Sequence, residues 1–406
     1  MSEVLRPGSE DEIAAIIADA AASRQPLEVA GQGGKAGIGR PPQASSRLSC
    51  EGLSGITLYE PSELVISARA GTPLAEIEAT LAENGQQLAF EPVDYGPLFG
   101  QEPGRGTIGA IFAGNISGPR RIQVGAARDH LLGIRAVNGR GEIFKSGGRV
   151  MKNVTGYDLC RTLSGSWGTL AVMSEVTMKV LPRAQAMQTL VLRNLTEEVA
   201  VDAMCEALGS PFEVSGTVHM PASCAQALKV PGLVRKGQPV TLFRLENFEE
   251  FVKYRTGRLS EILSAFGKVD VMDDAASRDI WDGIRRLAFF SGGEGAVWRI
   301  SVAPDKGASF LAAVSAHLEC RAVLDWSGGL IWLEVAPSRD AGATEIRRAL
   351  ADIGGHATLI RAEPAVRASV DVFQPLDPAL AALTRKIKQA FDPEGILNPG
   401  RMYPGV

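Results

Sequence analysis

Residues 29–42, VAGQGGKAGIGRPP, combine five glycines with a lysine directly after an apolar run. A glycine-rich turn after a strand exposes backbone N–H groups that can hold phosphate oxygens. The spacing of Gly31, Gly33 and Ala36 matches a Rossmann fingerprint, but the glycines and prolines that follow prevent the helix which that fingerprint must open. A P-loop is excluded because Ala36, which has no hydroxyl, follows Lys35. A phosphate-binding loop of another kind and a plain surface loop both stay open at this point.

A second segment with the same chemistry lies between residues 92 and 125, where glycine and proline recur throughout. The chain has 45 glycines, and they concentrate between residues 31 and 170. A long stretch rich in glycine and proline inside a compact domain is usually functional. The sequence therefore predicts that backbone in the first half of the chain approaches a ligand closely.

The composition excludes several classes of protein. With 406 residues, 45% hydrophobic residues and a net charge of -4, the chain is expected to form two or three globular domains and not to bind nucleic acid. The five cysteines include no C-x-x-C pair and the four histidines no metal-type spacing, so neither an iron–sulfur cluster nor a metal site is expected. The acidic N-terminus lacks a signal-peptide pattern and no segment is apolar enough to span a membrane, which predicts a cytoplasmic protein.

The elements that must position the two glycine-rich segments follow from periodicity. A helix with a capping box is predicted over residues 9–23, followed by the strand PLEVAG and then the first glycine-rich loop. Further elements are expected as a strand at 63–71, a helix at 72–84, a hairpin that turns between Asn138 and Gly141, and a strand that ends at Pro182. Together they predict an α+β domain over residues 1–183.

The second half has a different pattern. Strand-like and helical segments alternate from MQTLVLRNL to ATEIRRALADIGG, which predicts an antiparallel sheet with helices on one face over residues 184–375. Residues 376–406 predict a helix that ends before Asp392, followed by an extended tail.

Five ordered motifs together resemble the FAD-linked oxidases of the vanillyl-alcohol oxidase and p-cresol methylhydroxylase (PCMH) type. They are the loop at 31–37, GRGTIGAIFAGNISGP at 104–119, ARDHLLGIRAVNGRGEI at 127–143, GYDLCRTLSGSWGTLAVMSEVTMKVLP at 156–182 and FDPEGILNPGRMY at 391–403. Within that family, ELVISARAGTPLAEIEA, VMKNVTGYDL, VWRIS, GGHAT and LNPGRMY are similar to the FAD-binding subunits of bacterial glycolate oxidases. The resemblance covers essentially the whole chain. It implies a two-subdomain PCMH-type FAD-binding domain, a smaller antiparallel sheet-and-helix cap domain, and a C-terminal segment that returns to the first domain.

The resemblance assigns both glycine-rich loops to the pyrophosphate of FAD, whose two phosphate charges suit many backbone donors and little side-chain bulk. The cofactor-binding residues that it implies are Gly31, Gln32, Gly33, Gly34 and Lys35 in the first loop, Gly106, Thr107 and Gly109 in the second, Asn115, Ser117 and Gly118 nearby, Gly168, Leu170 and Val172 at the adenine end, Arg128 and Asp129 as braces, and Asn398 in the tail. Arg401 is expected only to cover the surface. Several relatives tether the flavin through a His or Cys in these loops, and the first loop has neither, so noncovalent FAD is expected.

Oxidation of a 2-hydroxy acid at a flavin needs a cation for the carboxylate and a group that takes the hydroxyl proton. Arg299 in VWRIS and His356 in GGHAT are the candidates for these roles, with Trp298 or Trp326 as ring-face neighbours. A structural ion pair for Arg299 and a turn contact for His356 stay open as alternatives. The histidine and glutamate metal cluster of some relatives has no counterpart in this sequence.

Two functions are compatible with these residues. In the first, the chain is a catalytic flavoprotein subunit that oxidises glycolate or another short 2-hydroxy acid and passes electrons to a partner. In the second, it is an FAD-binding accessory subunit whose partner carries the catalytic site. The resemblance implies a larger FAD subunit and an iron–sulfur subunit as partners, through which the complex could associate peripherally with a membrane.

Overall fold

The computed structural model describes residues 3–150 and 156–406, so residues 151–155 of the motif VMKNVTGYDL lie outside the described residues. The helices are α1 (Glu10–Ser23), α2 (Leu74–Glu83), α3 (Ile108–Ala113), α4 (Arg121–Val124), α5 (Ala127–His130), α6 (Leu159–Leu163), α7 (Glu197–Gly209), α8 (Ala222–Ala227), α9 (Glu249–Leu263), α10 (Asp274–Arg285), α11 (Gly307–Ser315), α12 (Ala343–Ile353), α13 (Pro364–Ser369) and α14 (Pro378–Phe391).

The strands alternate with these helices along the chain. They are β1 (Glu3–Leu5), β2 (Leu27–Ala30), β3 (Ser46–Ser49), β4 (Ile56–Glu60), β5 (Val65–Arg69), β6 (Gln86–Gln87), β7 (Leu131–Asn138), β8 (Ile143–Gly147), β9 (Ala171–Lys179), β10 (Leu181–Pro182), β11 (Ala186–Arg193), β12 (Gly216–Met220), β13 (Val240–Asn247), β14 (Asp270–Met272), β15 (Ala296–Ser301), β16 (Cys320–Asp325), β17 (Leu330–Val335) and β18 (His356–Arg361). No helix in the described part of the chain has the length and apolarity that crossing a membrane requires.

The first half of the chain forms two main sheets. A parallel sheet of order β1-β3-β2 packs against α1, which begins where the Ser9 hydroxyl accepts a hydrogen bond from the Glu12 N–H at 3.2 Å. An antiparallel sheet of order β4-β5-β9-β7-β8 contains the predicted hairpin, with β7 and β8 joined at residues 138–143. The first glycine-rich loop therefore leaves the end of a parallel strand, β2.

The second half forms one antiparallel sheet of eight strands in the order β14-β11-β13-β12-β16-β17-β15-β18. Alternate residues of each strand belong to different cores. Trp298 and Leu333 pack with residues of α7, α11 and α12, whereas Val297 and Trp332 pack in one cluster with Phe90 and other residues of the first half. One face of this sheet is thus covered by helices, and the other faces the FAD-binding part that the sequence predicts.

The C-terminal segment contacts the first half of the chain. After α14, Leu397 forms a parallel bridge with Leu27 of β2. The buried ammonium group of Lys388 donates hydrogen bonds to the carbonyl oxygens of Thr169 and Leu397 at 2.7 and 2.8 Å and to Asp392 at 2.7 Å. The tail is consequently fixed against β2 and the turn that precedes β9.

Candidate functional site

A cleft lies where the two glycine-rich loops and the start of β9 meet. The lining includes ten of the predicted cofactor-binding residues, namely Gly31, Gln32, Gly33, Gly34, Lys35, Gly106, Thr107, Gly109, Gly168 and Val172. Three segments that are far apart in sequence are thereby brought together around one space.

Close backbone approach explains why glycine occupies these positions. A Cβ atom at Gly31 would lie 2.2 Å from the Thr107 hydroxyl oxygen, and one at Gly109 would lie 2.6 Å from the Ala70 Cβ. A Cβ at Gly106 would lie 3.1 Å from the Lys35 ammonium nitrogen. The missing side chains let the two loops touch each other and leave no side-chain bulk at these positions of the cleft.

Three cationic side chains, those of Lys35, Arg105 and Arg401, line the same cleft. Burial lowers the pKa of Lys35 to about 8 and that of Arg401 to about 10. The expectation that Arg401 covers the surface is wrong, because the residue is only 6% exposed. Its Nη2 donates to the carbonyl oxygens of Lys35 and Ile38 at 3.1 and 3.3 Å, which brings the guanidinium group into the wall of the cleft.

Asn398 lies behind the wall of the cleft. Its side-chain oxygen accepts a hydrogen bond from the Val29 N–H at 2.8 Å, and its amide nitrogen donates to the carbonyl oxygens of Trp167 and Val29 at 2.8 and 3.3 Å. A Cβ at Gly168 would lie 2.9 Å from that amide nitrogen. Asn398 therefore holds the end of β2 and the turn before β9 in place.

The other six predicted cofactor-binding residues, Asn115, Ser117, Gly118, Arg128, Asp129 and Leu170, do not line this cleft. Several of them organise the segment that leads into β7. The Asn115 side-chain oxygen accepts from the Arg128 N–H at 3.0 Å, and the Ser117 hydroxyl accepts from the Ala127 N–H at 2.9 Å. Asp129 accepts from the Ala126 N–H at 2.9 Å. Their contact with a cofactor stays a prediction.

The residues of the cleft fit FAD. The glycine loops provide backbone donors and the three cations provide positive charge for a pyrophosphate group. The Arg401 Nε is buried and has no partner among the described residues, and a bound anion would satisfy this donor. Cys50 is the thiol that lines the cleft, and burial raises its pKa to about 12, which keeps it protonated and unreactive at neutral pH.

A second polar region lies between the two halves of the chain and contains the predicted catalytic residues. Arg299 is half-buried on the sheet face that is turned toward the first half, and its guanidinium carbon lies 5.1 Å from the centroid of the Trp326 ring. Trp298 is on the opposite face, where its indole N–H donates to the Ala341 carbonyl oxygen at 2.8 Å. Of the two candidate tryptophans, Trp326 is thus the neighbour of Arg299.

His356 lies on the strand next to Arg299, since β15 and β18 pair Ser301 with His356 and Arg299 with Thr358. The residue is exposed overall, yet the surrounding protein partly desolvates its ring. This desolvation, followed by the positive charges of Arg299, Arg121 and Arg347, lowers the pKa of His356. The imidazole is therefore neutral near pH 7 and able to accept a proton.

Sequence reasoning did not identify Arg121. Its guanidinium carbon lies 4.6 Å from the centroid of the same Trp326 ring that Arg299 contacts. The arginine pair in SGPRR, directly after the second glycine-rich segment, is the signal that could have drawn attention to it.

Buried ion pairs fix the segment that carries Arg121. Arg244 of β13 donates to both Glu91 carboxylate oxygens at 2.9 and 3.1 Å, and Arg120 donates to both oxygens of Glu246 at 2.5 and 2.7 Å. Burial alone raises the pKa of Glu246, but Arg244 and Arg120 outweigh it and lower that pKa to about 2. The four charges join the two halves of the chain next to the Trp326 region.

Comparison with known proteins agrees with this geometry. Residues 1–147 match a family of FAD binding domains, and residues 373–402 match the C-terminal domain of FAD linked oxidases. The chain is 36% identical to the glycolate oxidase subunit GlcE of Escherichia coli (strain K12) over 95% of this chain and 94% of that protein. It is 26% identical to a D-lactate dehydrogenase of Archaeoglobus fulgidus over 98% of this chain and 90% of that protein.

The fold also matches a solved structure. The crystal structure of p-cresol methylhydroxylase with substrate bound superposes with a TM-score of 0.70 at 13% identity, covering 98% of this chain and 88% of that one. Fold, family matches and cleft chemistry agree on the cofactor, which is FAD. The chain is an FAD-linked oxidoreductase and belongs to the PCMH-type family of FAD-linked oxidases, the family that includes the glycolate oxidase subunit GlcE.

Proposed function

We propose that this chain is the FAD-binding subunit of a complex that oxidises a short 2-hydroxy acid, with glycolate as substrate and glyoxylate as product. The observation that carries the proposal is the position of Arg299, a half-buried cation between the FAD-binding part and the second sheet, with no carboxylate of the described residues within 4.0 Å. An unpaired guanidinium group in such a place suits a carboxylate ligand. The names of two relatives, a glycolate oxidase subunit and a D-lactate dehydrogenase, support the same substrate class.

Different residues of the chain have different roles in this reaction. The glycine loops, Lys35 and Arg401 hold FAD, which when bound accepts the two electrons of the oxidation. Arg299 binds the substrate carboxylate and orients the hydroxyl-bearing carbon. Oxidation of the alcohol releases the hydroxyl proton, and a ring nitrogen of neutral His356 is the proposed acceptor of this proton.

The alternative function is an FAD-binding accessory subunit in a complex whose related partner carries the catalytic site. It is favoured by the sequence, which has no stretch similar to the histidine and glutamate metal cluster of some relatives. In either function the electrons pass to a partner chain. The candidates are a larger FAD subunit and an iron–sulfur subunit.

Anaerobic mixing distinguishes these functions. The FAD-loaded chain is mixed with glycolate or D-lactate while the flavin absorbance is followed. Bleaching by the isolated chain supports the catalytic function, and bleaching only after the partner subunits are added supports the accessory function. If neither mixture bleaches, both functions are excluded for these substrates. Should the isolated chain bleach, Arg299→Ala is expected to raise the substrate dissociation constant by roughly 30- to 1000-fold, whereas Arg24→Gln, at an exposed position directly after α1, leaves it unchanged.

A further inference from the structure

Two arginines from different halves of the chain lie against one tryptophan ring. The guanidinium carbons of Arg121, at the start of α4, and Arg299, in β15, are 4.6 and 5.1 Å from the centroid of the Trp326 ring. Trp326 itself bridges the halves, because its indole N–H donates to the Gly118 carbonyl oxygen at 3.2 Å. The three side chains therefore form one cluster across the boundary between the FAD-binding part and the second sheet.

The two positive charges of this cluster are compensated only in part, because burial lowers the pKa of Arg299, and Tyr95 and Asp325 offset this incompletely. Within residues 3–150 and 156–406, no carboxylate lies within 4.0 Å of either guanidinium group, and residues 151–155 contain no acidic side chain. Asp129 faces Arg121 but is already shared between Arg128 and Arg161, at 4.0 and 3.6 Å. Burial, and after it the charges of Arg299 and Arg128, lower the pKa of Arg121. Two half-buried cations that repel each other lower the stability of the fold, and a bound anion would reduce this destabilisation.

The ring between these cations is held by a strained turn. Trp326, Ser327 and Gly328 all have left-handed backbone conformations, with φ of 51°, 56° and 92°. The turn is fixed by hydrogen bonds from the Trp326 N–H to the Asp325 carboxylate at 2.7 Å and from the Ser327 N–H to the Thr217 hydroxyl at 3.0 Å. Strain of this kind persists only where the surrounding contacts determine the conformation, and it concentrates at functional sites.

We propose that Arg121 and Arg299, positioned by the ring of Trp326, together bind the carboxylate of a small hydroxy acid. Each planar guanidinium group stacks on the ring and keeps its N–H donors for the anion. The site requires a carboxylate, so it takes 2-hydroxy acids and rejects neutral alcohols of the same size. This inference rests on the proposed function and assigns its substrate recognition to a residue from each half of the chain.

Oxalate tests the site without turnover, because it offers a carboxylate on a two-carbon frame and has no C–H bond to oxidise. The dissociation constant of oxalate is measured on the FAD-loaded chain by calorimetry. Arg121→Gln is expected to weaken binding by about 10- to 100-fold, the loss of one charge-assisted contact, with FAD content unchanged. Arg258→Gln, in an exposed pair on α9, is the matched control and leaves the affinity unchanged.

Several outcomes overturn the inference. They are wild-type protein that does not bind oxalate, an Arg121→Gln variant with wild-type affinity, and binding of methyl glycolate as tight as that of glycolate. If Arg121→Gln loses FAD, the oxalate affinity of Arg121→Lys is measured instead. This variant keeps the positive charge but loses the planar guanidinium group. An affinity between those of wild type and Arg299→Ala supports the site, and an unchanged affinity overturns it. If the wild-type chain binds oxalate, Arg121→Gln weakens that binding, and no mixture of the wild-type chain with glycolate bleaches the flavin, the anion site is supported and the proposed function is excluded.

Discussion

The side chain of Asn398 closes a pair of hydrogen bonds with the backbone of Val29, accepting from its N–H at 2.8 Å and donating to its carbonyl oxygen at 3.3 Å. Asn398 thereby satisfies the backbone hydrogen-bonding groups of Val29 in β2, although the two residues are 369 positions apart. The strand β2 ends one residue later and the first glycine-rich loop begins. The position of the cofactor loop therefore depends on a residue that does not itself line the cleft.

We expect Asn398→Ala to destabilise the fold and to weaken FAD binding. The residue is fully buried, and its loss leaves the N–H of Val29 and the carbonyl oxygen of Trp167 without partners. Loss of such contacts costs about 2–4 kcal/mol of unfolding free energy. Urea denaturation and the ratio of flavin to protein after gel filtration measure the two effects. Asn84→Ala, which removes an exposed bond to the Thr80 carbonyl oxygen, is the control and changes stability by less than about 0.5 kcal/mol.

Gly31→Ala should abolish FAD binding while the chain stays folded. The new methyl group would lie 2.2 Å from the Thr107 hydroxyl oxygen, so the two glycine-rich loops must separate. Flavin absorbance of the purified variant and its circular dichroism spectrum measure the two properties. Gly257→Ala on α9 serves as control, because no atom lies within 4 Å of the added Cβ. A fully yellow Gly31→Ala protein would show that the loop contact is not needed for the cofactor.

FAD is expected to be held without a covalent bond. The cleft contains a thiol, Cys50, but burial raises its pKa to about 12, and a protonated thiol does not attack a flavin ring. Acid precipitation should therefore leave a colourless pellet and a yellow supernatant. A yellow pellet would contradict this, and repeating the experiment with Cys50→Ala would then show whether the thiol is the point of attachment.

The affinity for FAD should fall as the pH rises through about 8. Burial lowers the pKa of Lys35 to about 8 in the free cleft, while a bound pyrophosphate favours the charged ammonium form and raises that pKa. Below pH 8 the charge is already present, whereas above pH 8 binding must take up a proton, so the dissociation constant rises by up to about tenfold per pH unit. Flavin fluorescence quenching with the FAD-free chain between pH 6.5 and 10 measures this.

Lys35→Met supplies the comparison for the pH experiment. We expect this variant to bind FAD about tenfold more weakly at pH 7 and to lack the steep part of the pH dependence, so that the two proteins converge near pH 10. Lys268→Met changes a lysine that is 84% exposed and should reproduce the wild-type curve. A wild-type affinity that is constant across this pH range would contradict the assignment of Lys35 to the anion.

The first half of the fold was accessible from the sequence because its signals are local. The helix α1 has a capping serine and an apolar stripe, and the hairpin between β7 and β8 has an Asn-Gly turn. Thr72 is a position where the local pattern is misleading. The helix predicted to begin there begins at Leu74, and the Thr72 hydroxyl instead donates to the carbonyl oxygens of Gly55 and Arg69, at 3.2 and 2.7 Å.

The second sheet was harder to predict because both of its faces are covered. A strand such as β17 is buried along its whole length, so no alternation of polar and apolar residues shows which side chain faces the site. Sequence alone could not decide between Trp298 and Trp326, which lie on different sides of the sheet. Arg121 was missed for a related reason, since its role depends on a turn that lies 205 positions further along the chain.

The bridge between Leu27 and Leu397 also limits when the growing polypeptide can bind its cofactor. The strand that introduces the cofactor loop is synthesised 370 residues before its stabilising partner. Cofactor capture must therefore wait until that partner has been made, and a nascent or proteolysed chain that stops before Asn398 would be colourless. Flavin loading in this architecture thus reports that translation has passed this point.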